Sequence, residues 1–290
     1  MTRDAVLVTG VGGPSGVAAV AALRSRGFTV TGVDMRPVPH EADSFFQVPA
    51  ALNPAYVPVL LKLVAAQKVS WLVPTVSEEL IKVAQAADDF RRSGVSVYIG
   101  EPGSVRICND KWETARALGR AGVAVPRSAI GNADSAAVRS LGFPVVSRPR
   151  VGRGGRDVVV HEGPGVAPTA WDPVWQEFMP GTEYDVLIVV HPDPRREPAA
   201  IGVLEKKILK DGRVGNALEV ERSDAPDVAR LACSAAAAVG LRGPMDIDIR
   251  RDASGLPRLL EINARIGAHA LKAPAIFDAL VRLHREGHRG

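Results

Sequence analysis

The chain has 290 residues, 46% hydrophobic and 23% charged, with a formal net charge of +4 and a pI near 9.3. That length predicts two domains, or one domain with a lid, and the apolar content excludes a disordered polypeptide. Scattered arginines without a basic run or interleaved aromatics exclude a nucleic-acid groove, and no apolar run approaches the roughly 20 residues of a membrane span. Cys108 and Cys233 stand apart without a partner motif, which excludes a zinc site or a disulfide framework and suits a reducing cytoplasm. With Thr9 and Gly10 coming so early, no signal peptide is expected, and the chain reads as a soluble cytoplasmic protein.

The first element is a short apolar strand, Ala5 to Val8, followed by a turn holding Gly10, Gly12, Gly13 and Gly16, a helix over Val17 to Arg26, and a strand, Thr29 to Val33, ending at Asp34. This β-α-β unit predicts a doubly wound parallel sheet, whose glycines serve either a dinucleotide, with Asp34 on its ribose, or packing alone. Tyr56, Tyr98 and Tyr184 are followed four residues later by Leu60, Pro102 and Ile188, so the Tyr-x-x-x-Lys pair of a short-chain dehydrogenase is absent. Helices over Ala55 to Gln67 and Glu78 to Ser93 alternate with strands at Val69 to Val73 and Val95 to Ile99, which gives four parallel strands before residue 101. Glu78 and Glu79 lie at a strand's carboxyl end, where open sheets gather ligands and where a helix amino terminus also favours acids.

Glu101 to Gly103 punctuates the chain, and the domain boundary is placed near residue 103. Asp110 caps a helix running from Lys111 to about Ala121. A small α+β segment follows, with a helix near Ser135 to Leu141 and strands at Phe143 to Arg148 and Val158 to His161. The hairpin tip between those strands sets Gly152, Gly154 and Gly155 among Arg150, Arg153 and Arg156, either an exposed turn or a flap whose N–H and guanidinium groups cover phosphates. Glu177, Phe178 and Met179 then offer either core filling or an apolar slot for an adenine ring, ahead of a long strand over Tyr184 to Val190. The strand Ala199 to Leu204 returns to Glu205, Lys206 and Lys207, a charged group that either edges the cleft or, as such clusters more often do, keeps a sheet edge soluble. Ala225 to Val239 is an alanine-rich packing helix, and Leu271 to His284 is the last helix.

Between these two helices lies the most informative stretch, Gly243 to Arg265. Asp246 and Asp248 alternate with Met245, Ile247 and Ile249 on one strand. After a turn at Asp252 to Gly255, a second strand carries Leu259, Glu261 and Asn263 at period two, with Leu260 and Ile262 opposite. The hairpin is either a surface element with solvated acids or a site that gathers Asp248, Glu261 and Asn263. An all-oxygen donor set without His or Cys suits magnesium held together with substrate phosphates.

Taken together, Asp110 and Lys111, Phe143 to Arg148, the Gly152 to Gly155 loop, Glu177 with Pro180 to Glu183, and Asp248 with Glu261 to Arg265 resemble the ATP-grasp superfamily. The pattern is most similar to its carboxylate-amine ligases of the carbamoyl-phosphate-synthase large-chain type. The resemblance implies an α/β and α+β chain: a Rossmann-like preATP-grasp domain at 1–103, then a two-lobed ATP-grasp domain at 104–290 with a lid at about 125–178. It implies ATP and Mg2+, with Mn2+ as a substitute, and small-molecule carboxylate and amine substrates joined through an acyl phosphate. A homodimer is a family expectation, with no nucleic-acid or membrane partner. Residue by residue, Lys111 and Arg148 would hold phosphates under the loop of Gly152, Gly154 and Gly155. Glu177, Phe178 and Met179 would recognise adenine and Glu183 the ribose. Asp248, Glu261 and Asn263 would hold metal, with Asp246 as the other reading of the first ligand, and Arg265 would act with Glu261 and Asn263 on the transferred group. Position 148 is often Lys in such proteins and position 264 often Pro, whereas here they are Arg and Ala. Two rival functions remain open at this point, an NAD(P)-dependent oxidoreductase built on the first glycine-rich unit and a nonenzymatic ATP-binding module.

Overall fold

A computed structural model of the chain describes residues 4–152, 154–164 and 172–287. Its first sheet comprises β1 (Ala5–Thr9), β2 (Thr29–Asp34), β3 (Ser44–Gln47), β4 (Trp71–Val73) and β5 (Ser96–Val97), all parallel and ordered β3-β2-β1-β4-β5. Val6, Leu7 and Val8 are fully buried, as a central strand covered on both faces requires. The chain reverses its winding between β1 and β4, so their carboxyl ends form the switch point of the sheet. Helix α1 (Pro14–Ser25) opens on a proline, and a Cβ at Gly16 would lie 2.1 Å from the Gly10 carbonyl oxygen, so this glycine is needed for the helix to approach the strand. Helices α2 (Tyr56–Ala66), α3 (Leu80–Gln85) and α4 (Ala87–Arg92) cover the opposite face through Leu60, Val64, Val83 and Phe90.

Two expectations need correction here. The sheet has five strands rather than four; β3 is a short, part-exposed edge whose Phe45 and Phe46 follow no alternation. The single helix expected over 78–93 is divided at Ala86, whose N–H is shared between the carbonyls of Lys82 (3.0 Å) and Val83 (3.2 Å).

Pro102, read as a break, instead opens helix α5 (Pro102–Asn109), proline being well suited to a first helical turn. Helix α6 (Lys111–Arg120) follows at once, with the Asp110 carboxylate accepting from the N–H of Trp112 at 2.9 Å and of Glu113 at 3.2 Å. A small antiparallel sheet is ordered β6-β9-β7-β8, from β6 (Ser128–Ile130), β7 (Val145–Pro149), β8 (Val159–His161) and β9 (Pro173–Glu177). Helix α7 (Ala136–Arg139) packs Val138 against its Val145 and Trp175.

The larger antiparallel sheet is ordered β12-β11-β10-β13-β14, from β10 (Glu183–Val190), β11 (Ala200–Leu209), β12 (Ala217–Arg222), β13 (Gly243–Arg251) and β14 (Pro257–Asn263). One face sends Tyr184, Val186, Ile188, Met245, Ile247 and Ile249 into a core with Val228, Ala232 and Ala235 of helix α8 (Pro226–Ala238). The other face alternates with it, carrying Glu183, Asp185, Asp246 and Asp248, then Leu187 and Val189. Those last two join Val6, Val8 and Trp71 of the first sheet and Ile276, Phe277 and Leu280 of helix α9 (Ala275–Gly287) in one continuous core. The final helix was expected from Leu271, but Ala270–Lys272 is a 3-10 turn and α9 starts beyond Pro274. Among the described residues no helix is long and apolar enough to cross a membrane.

Candidate active site

The small and large sheets face each other across a cleft of ≈ 800 Å³. It is lined by Lys111, Arg148, Gly152, Gly155, Glu177, Phe178, Met179, Glu183, Asp248 and Glu261, ten positions singled out from the sequence. Gly154 lies in the same loop, with Gly155 bringing its backbone against the β11–β12 turn: a Cβ there would meet Gly215 Cα at 2.7 Å. The base of the loop is tied to α6, since the Lys111 N–H donates to the Arg150 carbonyl (2.9 Å) and Arg150 Nη2 donates to Asp110 (2.6 Å). Arg153 lies outside the described residues.

At one end of the cleft, Phe178 lies beneath the guanidinium groups of Arg213 and Arg250, 4.3 and 5.1 Å from its ring centre. Met179 is buried beside it, and Glu177 pairs with Arg127 at 3.2 Å. Glu183 is held by Arg250 Nη1 (3.2 Å) and Lys206 Nζ (2.7 Å), and Lys206 also reaches Asp248 at 2.6 Å. Burial works against the Lys206 charge, but Asp248, Glu183 and Asp185 together hold its pKa well above the usual lysine value.

In the middle, Glu261 accepts from both Lys111 Nζ (3.2 Å) and Arg148 Nη2. Burial alone would favour its neutral form, but the two cations hold its pKa below the ordinary carboxylate range. Lys111 also donates to the Gly152 carbonyl at 2.8 Å; burial and the neighbouring Arg148 push its pKa down. Arg148 Nη1 donates to Gln176 Oε1 at 3.2 Å, whereas its buried Nε has no hydrogen-bond partner among the described residues. Asp248 is pushed up to about 7 by burial, with the charges of Glu261 and Asp246 adding to it and Lys206 opposing.

The hairpin supplying these acids differs from the expected alternation in one respect. A β-bulge at Leu260 breaks the register between the pairs Asp248–Glu261 and Ile249–Leu259. Leu259 and Ile262 therefore both enter the core, while Leu260 and Glu261 line the cleft. Asn263 lies two pairs further along, opposite Asp246, and with Glu261 and Lys111 lines a smaller adjoining cavity that reaches Ser77 of the first domain. Arg265 Nη1 is paired with Asp246 at 2.6 Å. Asp246 is raised to about 7 by burial and then by Asp185, with Arg265 opposing.

Lys206, Arg250 and Gln176 of the cleft, and Asp185 opposite Asp248, were not singled out as site residues from the sequence. Lys206 was assigned to a sheet edge, but β11 continues to Leu209 and the unexpected strand β12 forms the edge. Arg250 and Asp185 are in phase with residues already singled out, Arg250 with Asp248 and Asp185 with Glu183, so period two could have found them. Gln176 gave no signal beyond its place beside Glu177.

The region 108–269 matches the family model described as an ATP-grasp domain, and 6–98 matches that of a PylC-like N-terminal domain. The chain belongs to the ATP-grasp family. Solved ATP-grasp structures reproduce its fold. The L-amino acid ligase of Bacillus licheniformis is 16% identical with a TM-score of 0.68, over 94% of this chain and 70% of that one. The N5-carboxyaminoimidazole ribonucleotide synthetase of Thermotoga maritima is 19% identical with a TM-score of 0.64, over 91% and 69%. The biotin carboxylase domain of the 2-oxoglutarate carboxylase of Hydrogenobacter thermophilus, a dimer in complex with MgADP and bicarbonate, is 13% identical with a TM-score of 0.65, over 97% and 70%.

Against that background the first glycine-rich turn reads as packing. Asp34 accepts from the backbone N–H of Gly12 (3.1 Å) and Met35 (2.8 Å), which closes the turn on itself, and a dinucleotide-dependent oxidoreductase is not favoured.

Proposed function

We propose that this ATP-grasp protein is an ATP-dependent carboxylate-amine ligase that forms an amide bond through an acyl phosphate. The observation that carries the reading is the buried arrangement of Lys111 and Arg148 over Asp248 and Glu261, beneath a glycine loop and beside the Phe178 slot. Positive charge on one wall and hard oxygen donors on the other match a triphosphate bound with a divalent ion. The division at residue 103, with a lid over about 125–178, belongs to the same proposal.

In this reading adenine lies at Phe178 and Met179 beside Glu177, and Glu183 turns from its cations to the ribose hydroxyls. Lys111 and Arg148 exchange Glu261 for phosphate oxygens, a swap that the partnerless Nε of Arg148 favours by offering a further donor. The donor set Asp248, Glu261 and Asn263 fits Mg2+ or Mn2+, because it is all oxygen and because burial, with the charges of Glu261 and Asp246 adding to it, raises the Asp248 pKa, a cost that a further cation would offset. Such an ion, when bound, would neutralise charge on the transferring phosphoryl group. Arg265 lies beyond Asp248, where the transferred group would emerge, and the Gly152 to Gly155 loop keeps water from the intermediate. A carboxylate oxygen takes the γ-phosphoryl group, ADP leaves, and an amine nitrogen displaces phosphate from the acyl carbon. A homodimer, as named for the Hydrogenobacter domain, is checked by light scattering.

The test is an ADP-release screen over amino acids and small carboxylates, read by mass spectrometry for a product one water lighter than its two substrates. ATP binding without ADP release from any pool would favour a nonenzymatic module and overturn the proposal.

A further inference from the structure

The polar face of the large sheet is ordered along its strands. Arg250, opposite Glu183, lies over Phe178 at one end; Asp248, opposite Asp185 and bonded to Lys206, follows; and Asp246, opposite Leu187, comes last before the sheet passes under Gly267. A Cβ at Gly267 would lie 2.9 Å from Asp246 Cγ, so the chain lies close over that end. If the nucleoside lies at Phe178 and the phosphates at Asp248, the space between Asp185 and Asp246 is where an acceptor must meet the activated carbon.

Three features show that this end is built for a cation. Asp185, Asp246 and Asp248 each place a carboxylate oxygen within 4.8 Å of the others. Asp185 is only 2% exposed, and among the described residues its Oδ1 has no hydrogen-bond partner, while Oδ2 is bonded to His269 Nδ1 at 2.9 Å. A buried, half-satisfied carboxylate beside a second one is costly unless a positively charged donor joins them. Among the described residues, the cation paired with Asp246 is Arg265, at 2.6 Å, and it does not supply the missing bond to Asp185 Oδ1.

We propose that Asp185 and Asp246 form the subsite for the ammonium group of the amine substrate, with His269 fixing the Asp185 carboxylate at its rim. The inference rests on the ligase reading and deepens it. An ammonium carries three directed N–H donors, which match the open oxygen of Asp185 and the remaining lone pairs of Asp246. A divalent ion here would stand against the Arg265 guanidinium and gain less. Bound this way, the amine nitrogen lies beside Asp248 and Arg265; it gives one proton to the Asp246 carboxylate, its freed lone pair forms the C–N bond as the acyl C–O bond breaks, and phosphate leaves with that electron pair and takes the second proton from nitrogen.

The experiment uses the full chain with ATP, Mg2+ and a pool of simple carboxylates, and offers two amines in one tube. Glycinamide is largely an ammonium ion near neutral pH, whereas hydroxylamine is uncharged there. Asp185→Asn should lower the ratio of glycinamide amide to hydroxamate by at least about tenfold, the size of one lost charge-assisted hydrogen bond. An unchanged ratio overturns the subsite, and so does a rise in the Mg2+ concentration needed for half-maximal hydroxamate, which would make Asp185 a metal ligand. Wild-type protein that yields neither product overturns the ligase reading instead. Independently of turnover and of whether the variant folds, glycinamide added to the wild-type protein with Mg2+ and a nonhydrolysable ATP analogue should shift the His269 imidazole resonance saturably, that resonance being assigned by its loss in His269→Gln. Absence of a shift overturns the subsite.

Discussion

The two large sheets bury charge in opposite ways. At the switch point of the parallel sheet, Glu79 is wholly buried, yet its carboxylate accepts from Thr9 Oγ1 (2.5 Å), the Val76 N–H (2.9 Å) and the Tyr56 hydroxyl. Thr75 closes the group by donating its hydroxyl to the Thr9 carbonyl at 2.6 Å. Every partner comes from the scaffold itself, so the network ties β1, β4 and α2 together and leaves nothing to offer a ligand. On the large antiparallel sheet acids and cations also pair, but among the described residues Asp185 Oδ1 is left over, as is Nε of Arg148, which faces this sheet from β7. Buried charge in a closed hydrogen-bond set marks a joint, whereas buried charge with unspent donors or acceptors marks a place where something binds.

The contrast can be broken most sharply at Glu261. Glu261→Gln should lower ADP release by about three orders of magnitude, through lost charge at the phosphates, while circular dichroism remains native. Near-normal turnover would place the site elsewhere. Lys206→Met tests stability on the same sheet, because it leaves Glu183 and Asp248 buried together without their common cation; a loss of about 3 kcal/mol is expected in urea unfolding at pH 8.

At Glu79 the expected effect has a pH signature. Burial pushes its pKa up from 4.5 to about 7 against the opposing hydrogen bonds. A carboxyl raised in the folded state holds its proton longer than in the unfolded chain. Glu79 should therefore cost the wild type about 3 kcal/mol of stability as pH rises from about 4.5 to 7, with no further loss above that. Because Asp246 and Asp248 are raised over the same range, Glu79→Gln should reduce the slope by that share, melt higher than wild type at pH 8 and keep its ADP release. The smallest effect concerns Arg148, whose two Nη atoms serve different partners, Gln176 and Glu261. Arg148→Lys keeps the charge but loses the fork, and should raise the KM for ATP about tenfold.

The same contrast explains what was legible in the sequence. The alternation of acids with Met245, Ile247 and Ile249 showed which face of β13 is polar, and the glycines at 152, 154 and 155 showed where a backbone must come close to something. Both are local properties of a strand or a turn. The Leu260 bulge has no such local mark, because an extra residue in an apolar strand leaves composition unchanged and is set by what the partner strand needs. Lys206 was misplaced for a related reason: whether a strand is an edge depends on its neighbour, and β12 was not assigned from the sequence. Glu79 stood out as an acid at a strand end, but only the fold shows that its partners complete it.

The shared core under α9 has a consequence for the order in which the molecule can mature. His284 stacks on Trp71 at 4.9 Å, and Phe277 and Leu280 complete the layer that α1 begins over β1 and β4. Roughly two hundred residues separate those partners, and at the usual pace of synthesis the parallel sheet waits on the order of ten seconds or more for its last covering helix. Until then the indole of Trp71 is without its imidazole neighbour, so its fluorescence can time the docking of α9 during refolding.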